Sequence, residues 1–182
     1  MSLEKRMYFF VPYNISPIQQ AIQAGHAALE YAHKFKDDPE YVDFIENWKT
    51  WIILNGGTTN NSVTAEGLFE GSLNNYADLI AIHSVKSSRF HEPDLNDALT
   101  AVCFLVDEQV FNYTDYPDLL DVILQTDFPD DTKQKYDSFR IKGKDYEELK
   151  EMFPGVYANW ERSLGGKKNV FLRELLKGKK LA

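Results

Sequence analysis

The run Met7-Tyr8-Phe9-Phe10-Val11, stopped by Pro12, shows no alternation of apolar and polar positions. A strand apolar on both sides predicts cover on both faces, at the centre of a sheet. Ser16-Pro17-Ile18-Gln19 then marks a helix start, with a Ser cap, Pro at the first helical position and Gln three residues beyond the cap. The spacing predicts a helix over 17–35. Along it Ile18, Ala21, Ile22, Gly25, Ala28, Leu29 and Ala32 recur at intervals of three and four, which predicts a stripe packed on the sheet. Gln19, Gln23, His26, Glu30 and His33 form a second, polar stripe that reads as a solvated surface.

Asp37-Asp38-Pro39 breaks the chain, and Tyr41, Phe44, Ile45 and Trp48 mark a short second helix. Trp51-Ile52-Ile53-Leu54 before Asn55-Gly56-Gly57 predicts a second strand closed by a turn. A third helix is expected over 65–85, a loop or short edge strand over 87–97 and a third strand over 98–106. Strands alternating with helices give the α/β class, with some parallel pairing and right-handed crossovers. Beyond Tyr116-Pro117-Asp118 the pattern is helical, interrupted by a charged linker over 127–135. Short amphipathic helices are expected over 145–153, 156–164 and 170–176, separated by Pro154-Gly155 and Gly165-Gly166. The organisation expected is a main domain over 6–126 and a helical C-terminal extension over 127–182.

Length and composition set the class. With 182 residues and 43% hydrophobic positions, the chain is expected to form one soluble core-forming domain plus an appendage. Its apolar runs fall far short of the ~20 residues of a membrane span, and the N-terminus has no signal-peptide pattern, so no membrane partner and a cytoplasmic location are expected. Cys103, alone in the apolar run 100–106, excludes an internal disulfide and a cysteine metal cluster and reads as a buried small hydrophobe. The net charge of −8 is unevenly spread. Residues 165–182 carry six Lys and Arg against Glu174, a tail of +5, which leaves −13 on the rest. An acidic body does not attract polyanions, so any nucleic-acid contact is expected at this tail.

Common phosphate-binding glycine loops, the Gly-x-Ser-x-Gly elbow and the His-Glu-x-x-His zinc helix are all missing from the sequence. Gly56-Gly57-Thr58-Thr59 follows a strand and suits either a simple turn or an anion cradle. His26 sits among Ala24, Gly25, Ala27 and Ala28, which leave it room to act as a base or donor near neutral pH, although a lone helical histidine is more often structural. His91-Glu92-Pro93-Asp94-Leu95-Asn96-Asp97 suits water activation, a cation or a solvated turn, without the spacing of a calcium loop. Neither a metal nor a cofactor is expected.

With these residues in view, the core over about 6–125 resembles the type 2 peptidyl-tRNA hydrolases. The first strand, the helix segment Gln23-Ala24-Gly25-His26-Ala27-Ala28, which is similar to the family's Gln-x-x-His-Ala-Ala signature, and the acidic loop ahead of the last strand carry the likeness. The resemblance implies a three-layer α/β/α fold with a small mixed sheet, and hydrolysis of the ester between a peptidyl or aminoacyl group and tRNA. It implies His26, Glu92 and Asp94 as catalytic, and Gln23, Asn96 and Thr100 as substrate-binding. Lys167 and Lys168 of the basic tail are the expected tRNA contacts, and a homodimer is the expected assembly. The alternative is a non-catalytic binding protein on the same fold, because 13–19 lacks the glycine and lysine that the family carries there.

Overall fold

The computed structural model describes residues 2–59, 65, 67, 71–126 and 141–182. The chain divides into two compact units, one formed by Met1–Glu108 with Glu174–Ala182 and the other by Gln109–Arg173. The expected linker over 127–135 lies outside the described residues.

The first unit is α/β. Its strands β1 (Lys5–Val11), β2 (Thr50–Asn55), β3 (Ser87–Glu92) and β4 (Ala98–Asp107) form a mixed sheet of order β2-β1-β4-β3. β1 pairs parallel with β2 and antiparallel with β4, which pairs antiparallel with β3. β1 is central, and Phe9 and Phe10 are fully buried. Alternation along β1 serves two layers. Met7, Phe9 and Val11 pack with Ala24, Ala27 and Tyr31 of helix α1 (Pro17–Phe35). On the opposite face Phe10 stacks on Tyr76 of α3 (Ser72–Ile82), ring centroids 4.9 Å apart.

The α1 start is as its sequence dictates, with Ser16 and Gln19 forming a reciprocal capping box. The rotation of the helix is a correction. Its buried residues are Gln20, Gln23, Ala24, Ala27 and Tyr31, whereas Ile18, Ile22 and Leu29 are 72%, 50% and 69% exposed. The reason is steric and polar together. The sheet presents Met7, Phe9 and Val11, so close approach favours alanines, while Tyr31 joins an aromatic cluster with Phe35 and Tyr41. The Gln20 amide donates to Pro12 O at 3.0 Å, which ties the first turn to the end of β1.

The second helix divides into α2 (Pro39–Asp43) and a π turn (Phe44–Trp48), closed by Lys49 in the left-handed region. α3 starts at Ser72 and not at 65, because Gly67 and Gly71 adopt φ of 83° and 106°, outside helical space; residues 66 and 68–70 lie outside the described set. Residues 87–97 resolve into edge strand β3 and a 3₁₀ turn, Pro93–Leu95. At the other edge, Leu181 bridges Leu54 in antiparallel sense, Asn55 N donates to Lys180 O and Ala182 N donates to Ile53 O. The last residues of the chain thus cover the open side of β2.

The second unit is helical, with α5 (Leu119–Gln125), α6 (Tyr146–Met152) and α7 (Pro154–Ser163) inside it; α4 (Glu108–Phe111) and α8 (Lys167–Leu176) cross its ends. Leu119, Ile123, Leu149, Tyr157 and Trp160 are among its core residues, and Tyr146 meets Trp160 edge-on at 4.9 Å. Arg173 is fully buried. Its guanidinium donates to the carbonyls of Val110, Pro117, Gln109 and Tyr116 at 2.7–3.2 Å and lies 4.3 Å from the Tyr113 ring centre. Burial lowers its pKa, opposed by Tyr113, Tyr146 and Asp118. One of the six basic residues counted in the tail is therefore a core donor.

Replacing this fork exposes its worth. Arg173→Met takes the guanidinium donor from four backbone carbonyls, of which Pro117 O keeps the Trp160 indole N–H, and is expected to destabilise the second unit by about 3 kcal/mol. Arg173→Lys, which keeps the charge but offers no planar fork, is expected to lose nearly as much in urea unfolding followed by near-UV circular dichroism. An unchanged midpoint for Arg173→Lys would show that charge alone suffices.

Candidate functional site

The Gln-x-x-His segment of α1 faces the end of β3 and the start of β4. Gln23 is buried, and Thr100 Oγ1 donates to Gln23 Oε1 at 2.6 Å while Gln23 Nε2 donates to Glu92 Oε2 at 2.6 Å. The donor order fixes the amide, since a carboxylate only accepts. The result is a chain Thr100, Gln23, Glu92, with the fully buried hydroxyl at one end and a half-buried carboxylate at the other.

A β-bulge makes this chain possible. Phe90 pairs with Ala101 but His91 pairs with Leu99, so Thr100 is the extra residue on β4. In a regular strand Thr100 would share the face of Phe104, which packs on Phe10 toward α3. The bulge turns its hydroxyl to α1 instead.

His26 lies one turn beyond Gln23 and is exposed. Its ring stacks on Phe90, centroids 4.5 Å apart and planes 18° from parallel. Stacking covers one face of the imidazole, while the residue as a whole stays exposed. Phe90 was not among the expected site residues; its signal in the sequence is a single large apolar position in the polar stretch 87–92.

The structure thus brings Gln23, Glu92 and Thr100 into one hydrogen-bonded chain, with His26 beside it on Phe90. Asp94 and Asn96 are exposed on the turn that follows. That turn closes on itself: Asn96 and Asp97 both adopt positive φ, and His91 Nδ1 lies 2.9 Å from Asp97 O. Lys167 and Lys168 are exposed on the first turn of α8, within the second unit. Among the described residues no group of three or more His, Cys, Asp or Glu side chains is placed to hold a metal ion.

The Gly56–Thr59 loop is a turn in which three of the four amides are committed. Gly56 N donates to Val11 O, Gly57 N to Asn55 Oδ1 and Thr58 N to Ser72 Oγ. An anion would find those three donors occupied. Gly57 is required here, because its φ is 85° and a Cβ would fall on Ser72 Oγ. Thr59 Oγ1 donates to Leu99 O, which joins this loop to the residue before Thr100.

A cleft of about 610 Å³ lies elsewhere, beside the first half of β3, lined by Glu30, His33, Lys34, Ala81 and residues 87–89. Lys34 and Arg89 are both engaged, one with the edge strand and one with α3. Lys34 donates to Ser87 O at 3.2 Å, and Arg89 donates to Ala77 O and Asp78. Below it Cys103 is fully buried, near Ser88 Oγ and Ala27 O. Burial pushes its thiol up to about 12, partly offset by hydrogen bonds from Ser88.

No protein-family model and no curated protein sequence matches the chain.

Thr100→Val removes the donor to a buried amide oxygen and is expected to cost about 1–2 kcal/mol in urea unfolding, with Thr100→Ser restoring most of it. Cys103 is expected to resist iodoacetamide at pH 8 in the native protein and to react on unfolding. The unfolded thiol ionises near its ordinary value of 9.0 while the native one waits until about 12, so stability should fall across that interval.

Proposed function

We propose that the chain is a peptidyl-tRNA hydrolase-like protein that cleaves the ester between a peptidyl or aminoacyl group and tRNA, acting in the cytoplasm. The observation that carries this reading is the Thr100–Gln23–Glu92 chain beside the exposed His26. Glu92 is held through one oxygen, which leaves the other to accept a proton from water. The water attacks the ester carbonyl carbon, its proton passes to Glu92, and the oxygen that gains charge accepts a hydrogen bond from His26. Collapse breaks the bond to the ribose oxygen, which takes the proton back, giving a free carboxyl group and tRNA. Thr100 and Gln23 act as positioning residues in this scheme, since the Thr100 hydroxyl is given to Gln23.

Charge placement supports a tRNA partner locally. The C-terminal segment paired on β2 sets Lys180 beside Asn55, at the end of the sheet where β1 and β3 also finish. Lys179 lies over the Tyr76 ring at 4.1 Å. Lys167 and Lys168 remain candidate contacts from the second unit. A second reading, a non-catalytic binding protein on the same fold, is favoured by the outward apolar face of α1.

A defined N-acetyl-aminoacyl-tRNA separates the two. The wild-type protein is expected to release the N-blocked amino acid, with His26→Ala and Glu92→Gln each at least about a hundredfold slower and Asp94→Ala near wild type. Lys179→Gln/Lys180→Gln is expected to raise KM and flatten its salt dependence at unchanged kcat. Wild-type turnover at the buffer rate would discard the hydrolase reading in favour of the second.

A further inference from the structure

Three residues on one face of β3 meet α1 in order. Alternate residues of a strand share a face, and Ser88, Phe90 and Glu92 all turn to the helix. Ser88 Oγ donates to Ala27 O at 2.6 Å, Phe90 stacks on His26, and Glu92 accepts from Gln23. The outer two contacts are hydrogen bonds that tie helix to strand, whereas the middle one reaches an exposed side chain. From this arrangement we infer that Phe90 is a positioning residue that sets the orientation of the His26 imidazole; its use in catalysis rests on the ester cleavage proposed above.

A histidine that handles protons is commonly oriented by a hydrogen bond at its second nitrogen, to a carboxylate or a backbone carbonyl. Among the described residues no hydrogen bond or ion pair engages the His26 ring. Its ring contact is the face of Phe90, centroids 4.5 Å apart and planes 18° from parallel. A stack of this kind restrains the two side-chain torsions of His26 and engages neither nitrogen. Orientation thus falls to an apolar ring, and the nitrogens are left for the reaction.

A platform orients its neighbour only if it is itself fixed. Phe90 is half-buried and packs against the cluster that contains Ala27, Ala101 and Cys103. It pairs with Ala101 immediately before the bulge, and its carbonyl oxygen lies 3.4 Å from Thr100 Oγ1, the hydroxyl that donates to Gln23. One residue therefore touches both parts of the site, through its backbone at Thr100 and through its ring at His26. Glu92 follows two residues later on the same face, about 6.6 Å along the strand.

Without the stack, His26 would distribute among several staggered rotamers, of which a fraction present a nitrogen to the oxygen that gains charge. That charge develops in the transition state, so the loss falls on kcat and leaves KM nearly unchanged. Leucine at position 90 still packs on the alanines of the cluster but offers no flat face. Tyrosine retains one.

Histidine ring NMR and a double-mutant cycle test the inference on the full chain. The ring C–H signals of His26, identified among the four histidines by their loss in His26→Ala, are expected upfield because they lie over the Phe90 ring. Phe90→Leu should return them toward those of an unstacked histidine, and Phe90→Tyr should hold them in place. On N-acetyl-aminoacyl-tRNA, Phe90→Leu should lower kcat about tenfold at little-changed KM, with Phe90→Tyr recovering most of the rate. In the His26→Ala background the same Phe90→Leu change should cost less than about twofold, a comparison that also removes any loss due to packing alone. A tenfold loss that persists in that background would overturn the inference, since Phe90 would then act without His26. Ring signals left in place by Phe90→Leu would overturn it as well. Wild-type turnover at the buffer rate discards the hydrolase reading and the reaction Phe90 would serve, while the ring signals still decide whether Phe90 orients His26.

Discussion

The rotation of α1 about its own axis is the constraint on which the first unit depends. Ala24 and Ala27 are the residues that pack with Met7, Phe9 and Val11, and both are fully buried. Aligning this alanine face with the sheet fixes every other side chain on the helix. Gln23 turns inward where an amide is acceptable only with partners on both ends, and Thr100 and Glu92 supply them. His26 is carried to the rim above Phe90. The aliphatic row is carried outward as a direct consequence of the same choice. A helix turned to bury Ile18, Ile22 and Leu29 would hide more apolar area but would pull Gln23 out of reach of the bulge. The site and the exposed row are two results of one packing decision.

The bulge at Thr100 is the complementary constraint from the sheet. β4 must serve both layers, with Phe104 on the α3 side and Ala101 and Cys103 on the α1 side. One extra residue allows Thr100 to leave this alternation without disturbing the pairing beyond Phe90. Because Leu99 O accepts from Thr59, the bulged segment is also held from the β2 side. The hydroxyl that orients Gln23 is thus fixed by contacts from three different stretches of chain.

Much of this was readable in the sequence where the signal is local. The capping box at Ser16, the two-sided burial of 7–11, the burial of Cys103 and the short helices after 145 all follow from neighbouring residue types. The facing of α1 was not, because periodicity ranks faces by hydrophobicity whereas the sheet selected by size and by paired amides. The start of α3 was misplaced because Leu68 and Phe69 fit a helical stripe while the glycines on either side impose positive φ. At the site, Gln23 and His26 were visible as a motif, but Thr100 could be recognised as a positioning donor only through a bulge, which is a property of strand pairing. Phe90 became meaningful once His26 was seen to rest on it.

Charge shows the same distinction between type and place. Counted along the chain, the tail is a basic run of six against one acid. In space it separates into residues with different physics. Arg173 is a buried fork that joins the carbonyls of 109–117 and holds the second unit's turn, so its charge is spent inside the protein. Lys167 and Lys168 open α8, where cations oppose the helix dipole and gain no stability from it. Lys179 is drawn to Tyr76, and Lys180 rides on a strand pairing at the edge of β2. The nominal +5 is therefore not one patch: Arg173 is buried in the second unit, which also carries Lys167 and Lys168, whereas Lys179 and Lys180 belong to the first, beside the end of β2.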